Sequence, residues 1–128
     1  MEELGEGEGR AKGHLYFTAP LRNHARRELE KLETGKNELV QLAKDLEEKA
    51  KTDTHVKSQV PRCKEAGEHL AAFTQSVKAK LEFCEGLPES TAEDIVDCEQ
   101  SELTSLLQAA KVHNEGMMLA IKSYKKWL

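Results

Sequence analysis

Five histidines (His14, His24, His55, His69, His113) and three cysteines (Cys63, Cys84, Cys98) are the side chains here best suited to hold a metal ion or attack a substrate. A metal centre needs several such donors to converge on one ion, which in sequence shows as short spacings of the C-x-x-C or H-E-x-x-H kind. No such spacing occurs, and an odd number of cysteines without a close pair speaks against both a zinc ribbon and a disulfide scaffold. Cys63 and Cys84 share a heptad line, which on a straight helix separates them by roughly 30 Å, far beyond the ~7 Å Cα limit for a bridge. Cys98 and His113 lie about four turns apart on one helix, too distant for a thiolate–imidazole dyad. His113 alone falls on an apolar face and reads as a core or rim residue bonded to a neighbour. These residue types predict no catalysis, no cofactor and no metal site, with the thiols reduced and structural.

Four other strings could carry function. "GEGEGRAKG" has the glycine content of a phosphate loop, but such a loop follows a strand and opens a helix, and neither flanks it. "LTSLL", Leu103 to Leu107, has the i, i+3, i+4 leucines with which short helices enter hydrophobic grooves, yet Leu103 and Leu106 also sit on a stripe that must be buried. Ser90 and Thr91 in "PESTAEDIV" match an acidic phosphorylation context, and Ser90 with Glu93 and Thr91 with Asp94 also match capping-box spacing; capping explains them without a kinase. Arg22, Arg26, Arg27 and Lys31 are interleaved with Glu28, Glu30 and Glu33, the pattern of an ion-paired, solvated face.

The elements that position these residues are helices. A first helix opens at Thr18 or Ala19 with Pro20 in its first turn, where the missing N–H costs nothing. Its apolar stripe is Leu21, Ala25, Leu29, Leu32, Leu39, Leu42, Leu46 and Ala50, and Gly35 on that stripe would admit a close neighbour. The pattern fades between Lys51 and Lys57. Pro61 restarts the chain, and Cys63, Ala66, Leu70, Phe73, Val77, Leu81 and Cys84 mark a second helix closed by Gly86 and Pro88. A third helix begins at "PESTAEDIV" and carries Val96, Leu103, Leu106, Ala110, His113, Met117, Ile121, Tyr124 and Leu128 inward. Acids crowd its first turns and lysines its last, as the helix dipole favours. No strand pattern occurs. The predicted fold is all-α: a three-helix antiparallel bundle with long first and third helices, residues 18–128, preceded by a flexible acidic, glycine-rich tail, residues 1–17.

Composition narrows the function class. Leu, Ile, Val and Phe number 27 of 128 residues, close to the roughly one-fifth level at which a chain can no longer bury enough apolar surface to order itself. The core must therefore be thin, too thin to enclose a polar catalytic pocket. A net charge of −4 offers nucleic acid no general attraction. Mean hydropathy is −0.65. No window approaches the ~18 to 20 apolar residues of a membrane span, and "MEELGEGEGR" lacks the regions of a signal peptide, so a cytoplasmic or nuclear setting is expected.

The greasiest stretch, "HNEGMMLAIKSYKKWL", closes the chain. If each helix starts beside the end of the one before, the third draws level with the first connection near Gly116, and the remainder overhangs. Leu21, Ala25 and Leu29 would overhang at the other end. Met117, Ile121, Tyr124, Trp127 and Leu128 then form an apolar stripe with few intrachain partners, of the Met, Tyr and Trp type that anchors protein interfaces, the alternative being that the stripe packs against the end of the first helix. The expected function is a non-enzymatic interaction module, an adaptor or a subunit of a helical, coiled-coil assembly that binds protein or a second copy of itself. The rival class is peripheral membrane binding, with Trp127 and Leu128 at the interface and Lys122, Lys125 and Lys126 on anionic headgroups. The acidic remainder of the chain argues against it.

Overall fold

A computed structural model describes residues 19–128. The expected tail, His14 and the "GEGEG" string lie outside the described residues. Three long helices and one short one follow in order: α1, Ala19–Ala50; α2, Thr54–Lys57; α3, Gln59–Glu85; and α4, Glu93–Lys125. No strand occurs among the described residues, so the all-α bundle is as expected. At 1.5 Å per residue, the 32, 27 and 33 residues of α1, α3 and α4 make helices of about 48, 40 and 50 Å.

Pro20 lies in the first turn of α1, and Gly86 follows the end of α3 with its N–H bonded to the Glu82 and Phe83 carbonyls. The weak stretch between the first two helices is more ordered than its pattern suggested. Asp53 caps α2 by accepting the His55 N–H at 3.0 Å, and this single turn plants Val56 in the core at 1% exposure. At the start of α4 neither expected capping box forms. The Thr91 hydroxyl turns back to donate to the Pro88 carbonyl at 2.6 Å, and the Thr91 N–H bonds the same oxygen. That turn displaces the N-cap to Ala92, which has no capping side chain, while Glu93 and Asp94 remain in the first turn where the dipole favours them.

Arg26 with Glu85 and Lys64 with Glu47 set α1 antiparallel to α3, and Lys80 with Glu99 and Phe73 with His113 set α3 antiparallel to α4. Therefore α4 runs parallel to α1, from Asn114 beside Glu28 to Lys125 beside Glu38. The core is a leucine ladder, Leu32, Leu39, Leu46, Leu103 and Leu107, closed by Cys63, Val77 and Cys84, all at 2% exposure or less. Each fully buried leucine contributes about 1.5 to 3 kcal/mol relative to an exposed one.

Two packing expectations need correction. The C-terminal stretch does not overhang, because residues 86–92 carry the chain past the end of α3 before α4 begins. Phe73 consequently stacks on His113, and the same register sets the last turn of α4 beside the first turn of α3. The expected overhang of α1 is also filled: Ala25 is fully buried, and Leu21 and Leu29 pack against the core.

Candidate interaction surface

The residues that could do chemistry stay apart. His24, His55 and His69 are exposed; His113 is exposed too, its ring 4.0 Å from that of Phe73 at 27°. Cys63, Cys84 and Cys98 are free thiols. Burial pushes the Cys63 and Cys84 pKa values up. Cys98 is at the surface, where the Glu102 carboxylate 3.7 Å from its sulfur raises its pKa and holds it as thiol rather than thiolate. Lys80 bridges Glu99 and Glu102 at 2.6 and 2.7 Å, and these two acceptors raise its pKa strongly, fixing the charge at the α3–α4 seam. Among the described residues, no group of three or more His, Cys, Asp or Glu is placed to hold a metal ion.

Of the other strings, "LTSLL" belongs to the core. Leu103 is fully buried, Leu107 is at 2% and Leu106 packs partly against them, so the inward pair is Leu103 and Leu107. The basic start of α1 is ion-paired, with Arg26 2.6 Å from Glu85, Arg22 at 3.7 Å, and Lys31 3.2 Å from Glu28. Ser90 is exposed in the connection before α4.

The five residues expected to bind a partner divide. Ile121 is buried, and Met117 and Tyr124 pack half-buried against the core. The Met117 thioether occupies the volume that a Cβ at Gly35 would need, which realises the close approach expected at that glycine. Trp127 and Leu128 stay exposed, with the Lys49 ammonium donating to their backbone oxygens at 2.8 and 2.7 Å. The lysine thereby ties the two residues that follow α4 to the end of α1.

Large apolar side chains are left exposed on the second half of α4, while Val40, Phe83 and Ile95 are exposed elsewhere on the bundle. Val112 and Met118 are each 67% exposed and Leu119 is 70% exposed. Val112 and Leu119 are two turns apart, and Gly116 between them has no heavy atom within 4 Å of where its Cβ would be. The bundle gives no packing reason for a glycine there. Sequence reasoning followed only the inward stripe and missed this outer one, although the i, i+7 repeat was its signal.

Grooves lie between the described helices. One of about 360 Å³ runs between α1 and α4 past Gly35, Met117 and Met118. Another of about 230 Å³ lies between α3 and α4 over Leu39 and Leu70. A third, of about 260 Å³, lies between α1 and α3 and is lined by no α4 residue. No described helix is long and apolar enough to cross a membrane. Comparison with protein-family models, with curated proteins and with solved structures found no match to this chain.

Proposed function

We propose that this chain is a non-catalytic protein-interaction module, an adaptor or a subunit of a helical assembly, that engages a protein partner through the outer face of the second half of α4. What supports the reading is that the bundle leaves Val112 and Leu119, one above the other on that face, in water, with Met118 exposed beside them at the α1–α4 groove and Trp127 and Leu128 exposed past the helix end. Isolated exposed hydrophobics are ordinary on a protein surface, whereas neighbouring large apolar side chains left in water together mark binding patches.

The test compares the intact chain with a Val112→Lys, Leu119→Lys variant in affinity capture and in sedimentation. Both positions are exposed, so helicity and melting temperature should change little. A partner or self-association retained by the intact chain and lost by the variant supports the reading. Equal retention by both defeats it, as does binding to anionic vesicles that Lys122→Glu and Lys126→Glu abolish.

A further inference from the structure

We infer that Ser90 is a phosphorylation site for an acid-directed protein kinase, one that transfers the γ-phosphoryl group of ATP to a serine followed by carboxylates. Among the serines and threonines of the chain, only Ser90 and Thr91 have an acidic residue three positions on, Glu93 and Asp94. A capping box would account for that spacing by folding alone, because its serine or threonine also stands three residues before an acid. The structure removes this account. The N-cap of α4 is Ala92, without a capping side chain, and the Thr91 hydroxyl is turned away from the helix. What the fold leaves unexplained, an enzyme explains: a cleft lined with Arg and Lys reads carboxylates downstream of the acceptor through charge-assisted hydrogen bonds.

Local geometry selects Ser90 over Thr91. Residues 88–91 form a tight turn in which the Thr91 N–H bonds the Pro88 carbonyl at 3.0 Å. The half-buried Thr91 hydroxyl donates to the same oxygen at 2.6 Å, so its proton is already engaged by the backbone. Ser90, one position earlier, is exposed, and its hydroxyl has no hydrogen-bond partner among the described residues. Glu93 and Asp94 are exposed in the first turn of α4. A kinase cleft holds its substrate extended, so that first turn has to open for Glu93 to be read together with Ser90. Ala92 is itself extended, at φ −62° and ψ 143°, and lacks the side-chain hydrogen bond that resists fraying at a capped helix start.

The step is a phosphoryl transfer. The Ser90 Oγ attacks the γ-phosphorus of Mg²⁺-bound ATP; the Oγ–P bond forms as the bond from phosphorus to the bridging oxygen of ADP breaks, and the hydroxyl proton passes to the kinase's catalytic carboxylate. The product adds a charge of about −1.5 to −2. That charge lies at the N-terminal end of α4, where the helix dipole favours it, so the modified chain keeps its fold.

The experiment incubates the full chain with an acid-directed serine/threonine kinase, ATP and Mg²⁺, with a peptide substrate as proof that the kinase is active, and locates phosphate by tandem mass spectrometry. One phosphate per chain should appear, on Ser90. Ser90→Ala should abolish it at unchanged helicity. Glu93→Gln should slow modification of Ser90 roughly tenfold or more, the scale of one lost charge-assisted hydrogen bond. Ser101 and Ser105, also exposed but without an acid three positions on, should remain unmodified. A folded chain that takes no phosphate, or takes it on Thr91 in place of Ser90, would overturn the inference. So would a Ser90 rate indifferent to Glu93→Gln, which would make Ser90 an exposed hydroxyl like any other.

Discussion

Asn114 donates its side-chain amide to the Glu28 carboxylate at 2.9 Å across the α1–α4 interface, with both residues more than nine-tenths buried. The second Glu28 oxygen faces Lys31 at 3.2 Å. Burial alone would raise the Glu28 pKa. The Asn114 and Lys31 hydrogen bonds, with the charges of Lys31 and His24, outweigh it and hold the group below its ordinary value of 4.5. A carboxyl depressed in the folded state contributes stability that is present above its unfolded pKa and lost as pH falls through the folded one. Glu28→Gln should therefore lower stability at neutral pH by about 1 to 2 kcal/mol. The difference from the parent should shrink as pH drops below 4.5, read by chemical denaturation across pH. Parallel profiles for the two proteins would refute the role of Glu28.

Three glycines inside long helices should respond differently to alanine, since only one is needed by its neighbours. At Gly35 the new methyl meets the Met117 thioether, which must swing out of the core. The expected loss is about 1 to 3 kcal/mol from overpacking, offset in part by about 1 kcal/mol of helix propensity. Gly116→Ala and Gly67→Ala meet no obstacle and should each stabilise by up to about 1 kcal/mol. In a Met117→Ala background Gly35→Ala should turn stabilising, a coupling that a double-mutant cycle of melting experiments measures directly. Additive effects would mean that Met117 does not occupy the Gly35 notch.

The same residues show how far the amino-acid sequence could be read. Three helices were legible because their leucines recur at three and four, and the Gly35 notch because a glycine on an apolar stripe signals close approach. The ladder Ala25, Glu28, Leu32, Gly35, Leu39 is also a regular three–four progression, but a glutamate reads as surface. The stripe was therefore assigned to Leu29, which is only partly buried. Burying Glu28 depends on Asn114, 86 positions away in sequence, and no local pattern announces such a pairing. The α4 N-cap and the absent overhang have one cause. Both depend on where the turn closed by Thr91 releases the chain, a tertiary detail that shifts the register of everything after it. The outer Val112 and Leu119 repeat was visible, and was passed over because the inward stripe on the same helix is richer.

The thiols should separate by environment. Cys63 and Cys84 are fully buried, so alkylation should reach them only on unfolding. Cys98 is open to solvent but raised in pKa chiefly by the charge of Glu102, so it should react slowly at neutral pH. Glu102→Gln removes that charge, increases the thiolate fraction and should accelerate alkylation of Cys98 several-fold, with Lys80 still held by Glu99 at 2.6 Å. Mass spectrometry of a timed reaction decides it. An unchanged rate, or modification of Cys63 in the folded protein, would contradict these placements.

Ile121 and Leu119 bring the two faces of α4 to a single comparison, because they are close in sequence and opposite in environment. Ile121 is 8% exposed and belongs to the core cluster, while Leu119 is 70% exposed. Truncating Ile121 to alanine should cost about 2 to 4 kcal/mol, the transfer term plus that of the cavity left behind. Truncating Leu119 should change stability by less than about 0.5 kcal/mol. Binding should respond in the opposite order: Ile121→Ala, measured where it is still folded, should retain the partner, and Leu119→Ala should weaken it by about 2 kcal/mol if it is an anchor of the kind that dominates interfaces. Denaturant titration and partner capture on the two variants supply both halves of the comparison. A Leu119→Ala protein that binds normally while Ile121→Ala does not would return the binding role to the inward stripe of Met117, Ile121 and Tyr124, and would require α4 to leave the bundle in order to bind.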